Sequence, residues 1–304
     1  MIAFVLSGAG NRGPLQIGAV RALLDRGIQP AFLVGTSAGA INGCYLAAHG
    51  LDDPTVTDRL ATLWSTATAK AIYPGNVLQI GWRILNKEES IFPSTGVRQL
   101  ITDALPSADM TFADLKVPLY VATTDLTTLR LFLFGEDKRA SVLDAVTASA
   151  AVPVIHPPLA YSGLQLVDGG AVANVPASVA MDMGATEIYV INAGYDDAKQ
   201  PPVDGIMELL ARMLAVLTTQ SLLIDLDRAT KDSQVDLHHI QVLFPENVGF
   251  RDFSKTAVMV ERGHAIATAY LAAPRPQTLA PVGTERIYGE TIGAAREYIP
   301  PQQR

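Results

Sequence analysis

The sequence predicts an α/β fold built on parallel strand pairing, and two observations support it. The N-terminal part alternates short apolar runs with helical stretches, strand–turn–helix twice over, which implies parallel strands joined by right-handed crossovers. The composition also suits a packed globular chain: 304 residues, 49% hydrophobic and 17% charged, enough to bury a core and too apolar for global disorder.

The elements follow in order. Residues 2–6 form an apolar run that ends in Gly8-Ala9-Gly10-Asn11-Arg12-Gly13. Pro14 opens a helix with Leu15, Ile17, Val20, Leu23 and Leu24 on one broad face, and Gly27 closes it, proline just inside the start and glycine past the end. A second run, 31–34, meets Gly35-Thr36-Ser37-Ala38-Gly39, and residues 40–48 read as a small-residue helix ended by Gly50. Further helices are expected over 56–67, 97–105, 141–151, 175–183, 203–231 and 254–272. Strands are expected over 119–123, 129–134, 164–167, 187–191 and 237–243, with a hairpin turn at Thr127-Thr128. No repeat, charge block or linker divides residues 1–273, which read as one domain; Pro274, Pro276, Pro281, Pro300 and Pro301 mark 274–304 as an irregular tail.

Composition narrows the function. A net charge of −7 argues against a nucleic-acid partner. The single cysteine, Cys44, excludes an internal disulfide and a multi-cysteine zinc site. The first ten residues lack a basic start followed by a long apolar run, so the expected location is the cytoplasm, at most peripheral to a membrane. The apolar stretch 206–226 contains Glu208, Arg212 and Asp225 and is expected to be a poor membrane span; burial is expected for the helix over 203–231. Residues 67–95 are apolar but broken by Pro74, Gly75 and Gly81; core packing is expected for most of their side chains, with a lid or acyl-chain groove as the alternative.

Two glycine-rich motifs carry the chemistry. Gly35-Thr36-Ser37-Ala38-Gly39 has the G-x-S-x-G form of a nucleophile elbow, a strand-to-helix turn so tight that the residues two before and two after the serine must be nearly free of side chain. From motif and context alone, an ordinary turn whose serine caps the helix stands equally open. Gly8-Ala9-Gly10-Asn11-Arg12-Gly13 fits G-x-G-x-x-G. A dinucleotide site would need an acid at the end of the second strand, where Phe32-Leu33-Val34 instead runs straight into Gly35. The other reading aims backbone N–H groups at an oxyanion beside Ser37, with adjacent parallel strands bringing both motifs to one sheet edge. Two rare motifs converging on one edge favour that reading.

A serine needs a base. Val167-Asp168-Gly169-Gly170 puts a carboxylate at a strand end before a sharp turn, although alone it reads as a turn aspartate. Of five histidines, His49 lies far along the elbow helix, and His238 and His239 face opposite ways in a strand. His156, among Pro153, Pro157 and Pro158, and His264, on the last helix, are expected to be satisfied or solvated structural residues.

Taken together, these blocks resemble the patatin-like phospholipase family, as do Val34 through Asn42, Ala148-Ser149-Ala150-Ala151-Val152-Pro153, and Asp168-Gly169-Gly170 followed by Asn174, Pro176 and Gly184-Ala185. The resemblance runs over roughly residues 1–195 and fades beyond. It implies a three-layer α/β/α sandwich with a mostly parallel central sheet and a Ser/Asp dyad without histidine that hydrolyses acyl esters of lipids. Ser37 is then the nucleophile, in an elbow with Gly35, Thr36, Ala38 and Gly39, and Asp168 the base, with Gly169 and Gly170 forming its turn. The loop of Gly8, Ala9, Gly10, Asn11, Arg12 and Gly13 forms the oxyanion hole, its donors being the amides of Ala9, Gly10 and Asn11, with Arg12 as the loop's basic residue. The sequence departs from the family pattern at Ala9, often glycine, and at His156, often an apolar aromatic. The expected partner is a lipid or small ester, with transient membrane-surface contact compatible with it; no cofactor or metal is expected. A catalytically silent lipid-binding module of the same fold is the alternative, and a dinucleotide-binding oxidoreductase the weaker one.

Overall fold

A computed structural model describes residues 1–273 except 76, 87, 195–201 and 245–247. The tail expected over 274–304 lies outside the described residues. The strands are β1 (Ile2–Leu6), β2 (Phe32–Thr36), β3 (Leu119–Asp125), β4 (Arg130–Phe134), β5 (Leu159–Tyr161), β6 (Leu164–Asp168), β7 (Glu187–Asn192) and β8 (Asp236–Gln241). Among the described residues they form one sheet in the order β5-β6-β3-β2-β1-β7-β8, with β4 also paired to β3. The β3–β2–β1–β7–β8 stretch is parallel, as expected, whereas β4, β5 and β6 join antiparallel, so the sheet is mixed at that end.

Helices cover both faces and give the three layers. On one face lie α1 (Gly13–Asp25), α2 (Ala38–His49), α3 (Val56–Thr66), α6 (Thr95–Ala104), α7 (Val142–Ser149) and α11 (Thr256–Ala272); on the other lie α8 (Gly170–Ala173), α9 (Ala177–Asp182) and α10 (Ile206–Lys231). The short α4 (Ala69–Ile72) and α5 (Val77–Leu85) follow α3. Because strand side chains alternate between faces, Ala3 and Val5 of β1 pack with α9 and α10 residues while Phe4 and Leu6 pack in the opposite core. Both faces are buried, so the strand reads as an unbroken apolar run.

The register at β3 sets the position of the site. β4 occupies one edge of β3 from Val121 to Asp125. On the other edge β2 lies opposite residues 119–122 and β6 opposite 123–125, running in opposite senses. The two strands therefore approach each other end to end: Thr36 pairs with Ala122 and Asp168 with the next residue, Thr123.

Two expectations change. The α10 helix is not buried: Leu209, Met213, Val216, Leu217 and Ile224 are exposed, and among its described side chains Leu222, Leu223, Leu226 and Ala229 face the core. By length and composition it is also apolar enough to cross a membrane, with 24% of that stretch buried, since its few charged residues do not offset its leucine content. In α5, Leu78, Trp82 and Leu85 are exposed rather than packed into the core. The unforeseen strand β5 pairs with β6 at the antiparallel end.

Helices α1 and α11 touch backbone to backbone: a Cβ at Gly263 would collide with the Leu15 carbonyl, and one at Gly18 with the Val260 carbonyl. Neither neighbour is a side chain that can swing away. Gly263→Ala is therefore expected to cost about 1–3 kcal/mol and to lower the melting temperature by about 3–10 °C. An unchanged thermal unfolding curve would contradict this packing.

Candidate active site

The elbow is built from the ends of β1, β2 and α2. Gly35 and Gly39 are glycines because there is no room: a Cβ at Gly35 would lie 2.7–2.8 Å from backbone atoms of Gly39 and Ala40, and one at Gly39 would strike the Leu6 carbonyl. The chain turns so sharply that Ser37 adopts φ 54°, ψ −121°, a region costly for a side-chain-bearing residue. Surrounding bonds hold it there. The Ser37 amide donates to the Ser149 hydroxyl (2.9 Å), which donates to the Ala122 carbonyl (2.7 Å); the Thr36 hydroxyl donates to the Ala173 carbonyl (2.8 Å). Ser37 stands at the N-terminus of α2, where the helix dipole favours developing negative charge.

Asp168, at the end of β6, is likewise pinned by its backbone. Its amide donates to the Ala151 carbonyl (2.9 Å) and its carbonyl accepts from the Thr124 hydroxyl (2.9 Å). The Gly170 amide donates to its carboxylate (2.8 Å). Burial pushes its pKa up from 3.8 to about 6, opposed in part by hydrogen bonds from the Ser37 hydroxyl and the Gly170 amide. Asp225 is also raised to about 6 by burial, but it hydrogen-bonds with Ser178 rather than with a nucleophile. The two residues singled out in the sequence, Ser37 and Asp168, thus meet, each 8% exposed.

The loop of residues 8–13 lies against them, and a Cβ at Gly8 would sit 3.5 Å from that of Ser37. Its six amides divide into two sets. Those of Gly8, Arg12 and Gly13 donate to the carbonyls of Asn174, Ala9 and Gly10, so these three residues cannot serve an oxyanion through their amides and drop out of the expected hole. The amides of Ala9, Gly10 and Asn11 have no acceptor among the described residues. Asn11 is tied down by its side chain, which donates to the carbonyls of Gly249 (2.9 Å) and Asp252 (2.7 Å).

Sequence reasoning missed the scaffold under this loop. The Trp64 indole donates to the Asn42 amide oxygen (2.7 Å), and the Asn42 amide nitrogen donates to the Gly13 carbonyl (3.0 Å) and to Gln16 (2.9 Å). Gln16 in turn donates to the Ser7 carbonyl (2.8 Å). Buried polar residues on otherwise apolar helix faces were the available signal, since such groups are retained only with partners.

The histidines separate. His49 stacks on Tyr45, His238 on Tyr189, His239 meets Asn192 and His264 meets Asp25. His156 is not solvated: it lines the cavity that holds Ser37, with only a loose backbone contact from Ile72 at its ring, because the loop after α7 folds it inward. That cavity, of about 60 Å³, also takes Ile72 and Tyr73 from the 67–95 stretch. Among the described residues no group of three or more His, Cys, Asp or Glu side chains converges as metal ligands would.

Known proteins match this chain as follows. Mouse patatin-like phospholipase domain-containing protein 7 is 31% identical over 198 residues, 64% of this chain and 14% of that protein. Neuropathy target esterase sws of Drosophila melanogaster is 31% identical over 200 residues, 64% of this chain and 13% of that protein. Lysophospholipase NTE1 of Mycosarcoma maydis is 28% identical over 210 residues, 67% of this chain and 10% of that protein. The chain therefore spans a small part of the length of these relatives. The crystal structure of VipD from Legionella pneumophila superposes on 89% of this chain and 66% of that chain, with a TM-score of 0.48 and 16% identity. The family model for patatin-like phospholipase matches residues 4–181. That match begins inside β1, ends inside α9 and takes in more than half of the 304 residues, so the chain belongs to the patatin-like phospholipase family.

Proposed function

We propose that this chain hydrolyses carboxylic esters of lipids, as a phospholipase A, lysophospholipase or esterase, with Ser37 as nucleophile and Asp168 as its base. The observation that carries the reading is a serine held at positive φ, hydrogen-bonded to a buried carboxylate of raised pKa and set beside three unengaged backbone amides. The likeness to a relative named as a lysophospholipase supports the substrate class.

The steps follow from these groups. As the Ser37 oxygen attacks the ester carbonyl, Asp168 takes its proton, and the carbonyl oxygen becomes an anion facing the amides of Ala9, Gly10 and Asn11. Collapse of the tetrahedral species breaks the carbon–oxygen bond, and the leaving alkoxide takes the proton from Asp168. Water then gives a proton to Asp168 and attacks the acyl-serine; the second collapse frees the carboxylic acid and returns the proton to Ser37. A base near pKa 6 is better matched to this work than an ordinary carboxylate, and burial supplies that match. Each oxyanion donor contributes about 10²–10³ in rate, comparable with the ~10²–10⁴ of the base.

The family relationship makes the substrate an amphiphile, and α5 offers an apolar face to meet a lipid surface: Leu78, Trp82 and Leu85, at i, i+4 and i+7, are 83%, 59% and 83% exposed. Trp82 also lines a cavity of about 430 Å³ beneath α5, with Pro74, Gly75 and Ile91, next in the chain to the Tyr73 of the Ser37 cavity. The net charge of −7 favours neutral or zwitterionic over anionic surfaces. A silent lipid-binding module is the second reading, and an unreactive Ser37 would favour it.

A fluorophosphonate probe is expected to label the wild type and not Ser37→Ala. Ser37→Ala and Asp168→Asn are each expected to lower kcat by at least about 10³-fold with unchanged circular dichroism. Near-full activity in Asp168→Asn would remove Asp168 as base. The log of kcat/KM is expected to climb with pH up to about 6 and then level, since the base works only when deprotonated. Folding raises the Asp168 pKa, so the protonated side chain is tolerated below about pH 4 and stability is lost as pH rises through about 6. The melting temperature of Asp168→Asn relative to wild type should therefore increase between pH 4 and 7. Finally, Leu78→Ser with Trp82→Ser should reduce hydrolysis in phosphatidylcholine vesicles several-fold and leave a soluble short-chain ester unaffected; equal losses on both would exclude surface docking by α5.

A further inference from the structure

The cavity in front of Ser37 is lined mostly by apolar side chains, among them Ile72, Val97, Leu100 and Phe253, which suits an alkyl chain. Two of its other polar side chains are already engaged: the Trp64 indole donates to Asn42, and the Asn11 amide donates to Gly249 and Asp252. His156 is different. It is 3% exposed, lies face to face with Tyr73 at 5.7 Å and 18°, and has no hydrogen-bond partner of ordinary geometry at either ring nitrogen, only a looser contact with the Ile72 backbone. Burial holds its pKa down to about 4, opposed by the loose backbone hydrogen bond with Ile72, so at neutral pH the ring is uncharged. It offers one N–H donor and one lone pair.

Its placement is enforced. The His156 amide donates to the Val152 carbonyl (2.9 Å), while the amides of Ile91 and Phe92 donate to the carbonyls of Val154 (2.8 Å) and Ile155 (2.9 Å). Between them Val154 sits at φ 70°, a region a β-branched residue seldom adopts. A buried group denied its hydrogen bonds is unfavourable, and a plain alkyl chain would leave it so. A substrate oxygen at that point would relieve it.

We propose that His156 is a substrate-binding residue that hydrogen-bonds an oxygen function, hydroxyl or oxo, carried on the acyl chain close to the ester carbonyl. The favoured substrates are then esters of hydroxy or oxo acids rather than of plain saturated acids of equal length. The closeness follows from the cavity, whose 60 Å³ is only about four times the ~15 Å³ that admits one water. This inference rests on the reading of Ser37 as the nucleophile. Sites that pair a substrate hydroxyl discriminate against analogues without it, because the protein group is then left unpaired.

The test compares p-nitrophenyl 3-hydroxybutyrate with p-nitrophenyl butyrate in wild type and in His156→Phe, which keeps a ring against Tyr73. The wild type is expected to favour the hydroxy ester by about 10-fold in kcat/KM. In His156→Phe the ratio should fall to about one. A wild-type ratio of one or less overturns the proposal whatever the variant does, and so does an unchanged ratio in His156→Phe. Should that variant not fold, His156→Leu takes its place under the same criterion. Fluorophosphonate labelling of Ser37 separates the two readings. Absent labelling defeats the serine mechanism, whereas labelling with a ratio of one, or with neither ester turned over, defeats only the role of His156.

Discussion

The site depends on the meeting of β2 and β6 along one edge of β3. With β4 on the opposite edge, β3 pairs its first half with β2 and its second half with β6. The strands run toward each other, so their last residues face neighbouring positions on β3. Hydrogen-bond ladders fix both ends without help from the side chains of Ser37 and Asp168. The antiparallel insertion of β6 thus sets where Asp168 falls: a parallel strand in that place would carry it past the end of β2.

Around that junction the protein accepts two unfavourable features and holds each with backbone contacts. Ser37 sits at positive φ, braced by Ser149 and Thr36. Asp168 is a carboxylate out of water, retained because its own amide and carbonyl are tied to Ala151 and Thr124. Local strain and a buried charge are tolerable only where surrounding structure over-determines them. The chain from Trp64 through Asn42 and Gln16 to Ser7 does the same for the oxyanion loop, reaching it from below through the Gly13 carbonyl.

The part of the chain beyond the family match is structural as well. β7 extends the parallel sheet on the far side of β1, and β8 extends it again. α11 packs against α1 with no side chain between them at Gly18 and Gly263. Ser221 of α10 accepts from the Asn174 amide just past the Asp168 turn, so this helix braces the Asp168 end of β6 while much of its apolar surface stays exposed. The Gly249 and Asp252 carbonyls that hold Asn11 also come from this later segment.

Much of this was legible locally. Strand–turn–helix alternation, the elbow, the oxyanion loop and the aspartate turn all announce themselves through glycine, because a tight turn leaves its constraint in the residues that make it. The parallel strands and most helices were legible for the same reason, each being a matter of short-range pattern. What only the tertiary structure decided involves long separations in sequence. Asp168 reaches Ser37 through the register of β3, and Ser149 braces the elbow from 112 residues away. Gly8 loses its amide to Asn174, α10 exposes leucines that its composition would bury, and His156 turns out to face the cavity that holds Ser37 rather than water. A sequence determines which turns its backbone takes; which side chains those turns bring together depends on packing among elements whose spacing leaves no local trace.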